Sequence, residues 1–133
     1  MTSFSRRLVA ETTLSVDDLI WPMFVIEGSD SAESVDSMPG VERHTIDRLV
    51  AQAGIAVELR IPVIAIFPAI DAALKDEDGS LARDGDNLVC RAVRAVKAAH
   101  PDLGIVCDVA LDPFTSHGHD LSLIHISEPT RPF

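Results

Sequence analysis

The sequence predicts an α/β domain in which helices cover a parallel sheet. Three observations predict it. Apolar runs at residues 19–26, 62–68 and 104–109 suit strands buried on both faces. Two segments with apolar residues at helical spacing lie between them. The order is therefore β-α-β-α-β, the pattern of strands joined by crossover helices. Three strands leave open whether the sheet closes into a barrel or stays open and doubly wound.

Each element has its own local reasons. Residues 1–15 are polar with scattered apolar side chains and read as an arm, with Arg6 and Arg7 solvated. In the first strand Pro22 lacks a ladder donor, so the best-paired part is expected over residues 23–26. Residues 28–37 read as loop, and the Pro39-Gly40 pair makes 37–43 a turn. Thr45 is placed to cap a helix, with Asp47 in its first turn. Ile46, Leu49, Val50, Ala53, Ala56 and Val57 form the inner stripe, and the helix should stop near Arg60, before Pro62. The segment 69–85 is a long acidic loop, of the kind that is functional or mobile. Asp86 or Asn87 caps a second helix with Leu88, Val89, Ala92, Val93 and Val96 inside and Arg91, Arg94 and Lys97 outside. Pro101 ends it.

Composition narrows function. The 133 residues are enough for one modest domain, 47% hydrophobic and 24% charged. The formal charge of -10 builds no basic stripe and argues against nucleic acid. Cys90 and Cys107 lie in apolar runs, away from any CxxC, and read as buried free thiols in a reducing compartment. No targeting segment stands out, and the longest apolar run, 61–70, is too short to span a bilayer. A cytoplasmic protein is expected. No Gly-rich phosphate fingerprint follows a strand, which weakens a dinucleotide-binding reading.

The chemistry concentrates just past the third strand, where parallel α/β proteins place function. Asp108, Asp112, His117, His119 and Asp120 fall within thirteen residues. The three aspartates are hard oxygen ligands, although spacing alone favours solvated loop carboxylates. His117 and His119, at i and i+2, are weak metal candidates. Structural hydrogen bonding is the reading for His119, with Gly118 permitting a special backbone angle and Thr115 and Ser116 stabilising the turn. The chain has two lysines, Lys75 and Lys97. Lys75 sits among Asp76, Glu77 and Asp78, which favour its charged form, and Lys97 sits on a solvent face. Neither suits a Schiff-base nucleophile.

The stretch from Asp108 to Asp120 resembles the metal and active-site loop of the porphobilinogen synthase (5-aminolevulinate dehydratase) family, in its aspartate-rich form. Further motifs run in the family's order: Ile20-Trp-Pro-Met-Phe-Val25, Ser37-Met-Pro-Gly-Val-Glu-Arg43, Lys75-Asp-Glu-Asp-Gly-Ser80 and Asn87-Leu-Val-Cys-Arg-Ala92. The resemblance covers residues 5–120. It implies a TIM (β/α)8 barrel, here its first three β/α units, with residues 1–15 as a shortened arm and 16–120 as partial barrel. It implies condensation of two 5-aminolevulinate molecules to porphobilinogen by a cytoplasmic homo-octamer. Asp108 matches the family's active-site aspartate. Where the cysteine-rich form holds zinc with three thiolates, this chain has Ala110, Asp112 and Asp120, so the resemblance implies Mg2+ or K+ and disfavours zinc. The family's two Schiff-base lysines lie on later strands, so the polypeptide as written is expected to be inactive, and insoluble or partly disordered as a monomer.

Residues 121–133 break the pattern. Leu121 stands where the family has Gly, and the run from Leu121 to Arg131 reads as translated sequencing-adapter DNA rather than native protein. His125 receives no role. Two other readings stay open at this point: a divalent-metal hydrolase using Asp108, Asp112 and His119, and a non-enzymatic acidic interaction module.

Overall fold

The computed structural model describes residues 2–119. Its elements are α1 (Ser3–Leu8), β1 (Ile20–Ile26), β2 (Ala32–Ser34), β3 (Glu42–Thr45), α2 (Ile46–Glu58), β4 (Val63–Pro68), α3 (Leu88–Ala99) and β5 (Gly104–Cys107). They build one sheet in the order β2-β3-β1-β4-β5. β1, β4 and β5 are the three expected strands and run parallel, Ile20 to Val25 opposite Val63 to Pro68, and Val63 to Ile66 opposite Gly104 to Cys107.

α2 and α3 lie on one face of the sheet. Leu49, Ala53 and Ala56 of α2 and Leu88, Ala92 and Val96 of α3 share a buried cluster with Met23, Val25, Ile64 and Ile66. From β1 through β4 to β5 each parallel strand joins beside the last, while β3 and β2 lie on the other edge of β1. Helices on one face and strands added in one direction are what a barrel wall requires.

Several expectations need correction. The strands are covered on one face among the described residues, not on both. Phe24 and Phe67 meet on the other face, ring centroids 6.1 Å apart, and Ile20 and Val106 are 55% and 47% exposed there. In a barrel wall that face looks inward, and further strands bury it. The loop and turn expected at 28–43 contain β2 and the start of β3, which runs on to Thr45. β3 is polar, Glu42-Arg-His-Thr45, and owes its form to the end of β1, where Phe24 to Ile26 pair with Arg43 to Thr45. β1 is paired from Ile20 rather than Met23. Pro22 is tolerated because it precedes the β3 pairing, where β1 has a strand on one side only. β5 ends at Cys107, two residues early. Val57, expected inside, is 46% exposed.

The caps follow local chemistry. Asn87 accepts the Cys90 N–H at 3.0 Å and starts α3. Thr45 holds the cap position of α2 but spends its hydroxyl on Ser31, accepting from its N–H and donating to its carbonyl, both at 3.1 Å. α2 ends in paired backbone bonds, Ile61 N–H to Ala56 O and Arg60 N–H to Val57 O, with Arg60 left-handed at φ +61°. The arm helix α1 buries no residue and leaves Phe4 and Leu8 exposed.

Candidate functional site

The site is built at the ends of β4 and β5. Asp108 is the first residue past β5, and the short 3-10 turn Asp112–Phe114 follows. Asp108 and Asp112 are exposed and line one cleft of about 690 Å3, with Arg83, Phe67 and Asn87 around it. A second cleft, about 550 Å3, shares Pro68 and Pro113 with it and is lined by Glu27, Arg43, Asp71 and Lys75. Sequence reasoning missed Arg83 and Arg43. Both come from segments read as loop or turn, and nothing in their neighbours signals a cleft. Glu27, at the end of β1, pairs with Arg91 of α3, which ties the cleft rim to the helix layer.

The long loop after β4 is not loose. Asp71 accepts the Ala73 N–H at 2.9 Å and caps a 3-10 turn. Asp76 forms a parallel bridge with Thr115, and its carbonyl accepts the Ser116 N–H at 2.9 Å. The hydroxyl and backbone N–H of Ser80 both donate to the Asp76 carboxylate and hold its pKa below the usual aspartate value. The loops after β4 and β5 thus dock on each other.

The histidines are placed differently from expectation. The ring of His117, not of His119, carries the structural hydrogen bonds, to the His119 N–H at 3.1 Å and the Glu77 carbonyl at 3.2 Å. The rings stack 5.9 Å apart. Gly118 does adopt the left-handed backbone, φ +70°, and Thr115 is buried and braces the turn. His119 does not line the cleft of Asp108 and Asp112, so the hydrolase trio is not brought together. Asp120 and the adapter-like run 121–133 lie outside the described residues.

The cysteines are free but half-buried rather than buried. Burial, and then the neighbouring Cys90, push the Cys107 thiol up, which keeps it protonated and a poor metal ligand. Among the described residues no three His, Cys, Asp or Glu side chains converge on a metal position. Asp108 and Asp112 offer oxygen alone, which suits a hard cation by donor type, but two carboxylates do not complete a site. Lys97 Nζ donates to the carbonyls of Pro101 and Leu103 at 2.9 and 2.8 Å, a structural role at the end of α3. Lys75 is half-buried in the second cleft.

Comparison with known proteins agrees with this geometry. The family model described as delta-aminolevulinic acid dehydratase matches residues 1–129. The delta-aminolevulinic acid dehydratase of Bradyrhizobium diazoefficiens is 56% identical over 117 residues, which are 88% of this chain and 33% of that protein. That of Chlamydia pneumoniae is 40% identical, covering 90% of this chain and 36% of its own. The crystal structure of the dehydratase from Toxoplasma gondii ME49, in complex with its reaction product porphobilinogen, superposes with a TM-score of 0.83 at 35% identity. That match covers 90% of this chain and 34% of the other. The chain therefore spans about a third of the length of these relatives, and its sheet and helices correspond to part of a TIM barrel of that kind.

Proposed function

The chain belongs to the delta-aminolevulinic acid dehydratase family, and on that premise we propose that it contributes one part of the catalytic barrel of a porphobilinogen synthase. Enzymes of this kind are lyases that condense two 5-aminolevulinate molecules, with loss of two waters, in porphyrin biosynthesis. The observation that carries the reading is the place of Asp108. It stands at the end of a parallel strand, exposed in a cleft, where barrel enzymes hold their reacting groups.

In this reading Asp108 orients 5-aminolevulinate and assists proton transfer at the carbons that react. Asp112, with Asp120, supplies oxygen ligands for a hard cation, Mg2+ or K+. That ion would provide charge stabilisation near the substrate. Neither Lys75 nor Lys97 is the Schiff-base lysine. Lys97 is committed to two carbonyls, and Lys75 lies in the second cleft, apart from the cleft that Asp108 and Asp112 line. The 133 residues by themselves are thus inactive. The whole enzyme is a cytoplasmic homo-octamer that acts on a small molecule and binds neither nucleic acid nor membrane. The acidic charge and the unburied arm helix α1 support this. No helix among the described residues is long and apolar enough to cross a membrane.

A chimaera tests the proposal. Residues 1–119 are joined to the remaining two thirds of the Bradyrhizobium relative and supplied with 5-aminolevulinate and Mg2+. The chimaera should form porphobilinogen, and the isolated 133-residue chain should not exceed a no-enzyme control. A folded chimaera without activity, or an active isolated chain, overturns the reading.

A further inference from the structure

We propose that His117 is a positioning residue: held in one tautomer, it staples the loop after β4 to the loop after β5 and so sets where Asp112 stands in the cleft it shares with Asp108. The inference rests on the reading of that cleft given above.

Two contacts fix the ring. The His119 N–H donates to Nδ1 at 3.1 Å, so Nδ1 carries no proton. In the neutral ring the proton is then on Nε2. Nε2 faces the Glu77 carbonyl oxygen at 3.2 Å, an atom that can only accept. Both contacts require the Nε2–H tautomer, and the opposite tautomer breaks both. The stacked His119 ring, tilted by 15°, holds the imidazole plane.

The contacts continue to the site. Thr115, 1% exposed, shares its hydroxyl proton between the carbonyls of His119, at 3.0 Å, and Asp112, at 3.3 Å. Glu77, His117, His119, Thr115 and Asp112 thus form one connected run between loops about 40 residues apart. Glu77 gives only a backbone atom to this run. His117 is the side chain that carries this run across to the loop after β4, beside the backbone bond from the Ser116 N–H to the Asp76 carbonyl.

The two bonds can be removed separately. In His117→Asn the side-chain oxygen takes the place of Nδ1 and keeps the His119 N–H bond but cannot reach Glu77. In His117→Gln the amide nitrogen reaches toward Glu77 and the near acceptor is lost. In the chimaera, His117→Ala should lower kcat by about 10²-fold, the cost of a small misplacement of reacting groups, with KM little changed. Gln should recover part of the loss and Asn none. Rescue by Asn and not Gln, or an unchanged kcat in His117→Ala, overturns the staple and leaves His117 a local turn residue. The ring 15N spectrum of the chimaera, assigned against His117→Ala, decides independently of activity. It should show the Nε2-protonated tautomer alone, and a mixture of tautomers overturns the proposal. If the unsubstituted chimaera makes no porphobilinogen, the reading of the cleft falls, while the spectrum still decides the staple.

Discussion

Replacing Gly104 by alanine should destabilise the fold at the strand that delivers Asp108. Gly104 opens β5, and its N–H donates to the Pro62 carbonyl at 2.9 Å. A Cβ at this position would lie 2.9 Å from Val63 Cγ2 and 3.0 Å from the Pro62 oxygen, where ordinary contact begins at 3.4 Å. The valine methyl can move, but the carbonyl belongs to the ladder and cannot. Overpacking of this size costs about 1–3 kcal/mol. The alanine also restricts the unfolded chain, which offsets about 0.4–1 kcal/mol. The net loss should be about 1–2 kcal/mol. Trp21, the one tryptophan, is half-buried against the core and reports unfolding by fluorescence in urea. Val63→Ala removes the side-chain part of the clash, so the double substitution should show a favourable coupling of at least about 0.5 kcal/mol. If Gly104→Ala is as stable as the parent, the close β4–β5 approach is wrong, and with it the placement of Asp108.

Two further outcomes follow from local geometry. Arg60 holds a left-handed backbone that costs an L-residue about 1–2 kcal/mol, so Arg60→Gly should raise the urea midpoint by roughly 0.5–1 kcal/mol of stability after the glycine's greater unfolded freedom; a lowered midpoint counts against the α2 terminus described. The Asp76 carboxyl titrates below its ordinary 3.8 because Ser80 bonds the charged form. Its contribution is therefore complete above that ordinary value and fades as pH falls through the lower folded value. Amide exchange at Ser80 should accelerate over that acidic window, and Asp76→Asn should remove the pH dependence. Unchanged acid sensitivity in Asp76→Asn would point to another group.

The three parallel strands and both helices were legible because their signals are local: apolar runs, helical spacing, and the caps and prolines at their ends. The place of Asp108 just past a strand was legible for the same reason, since a four-residue apolar run ends beside it. β3 was not. Glu42-Arg-His-Thr45 carries no strand pattern and pairs only because the end of β1 offers an open edge. The docking of Asp76 on Thr115 was equally hidden, because backbone groups of two distant loops make the contact. Val57 shows a limit of periodicity. It sits at the edge of the α2 stripe, where spacing gives the side of the helix but not how far the sheet covers it. The half-burial of Cys107 has a similar origin, since its apolar neighbours indicate a strand but not how much of that strand a helix covers.

The central claim is that Asp108 belongs to the reacting machinery while Asp112 holds a cation beside it. The most direct test is steady-state porphobilinogen formation by the chimaera carrying Asp108→Asn or Asp112→Asn, across a Mg2+ titration. A general acid–base contribution of about 10²–10⁴-fold predicts that Asp108→Asn loses at least about 10²-fold in kcat at every Mg2+ concentration. Asp112→Asn should instead shift activity to higher Mg2+. Near-parent kcat in a folded Asp108→Asn chimaera would contradict the account.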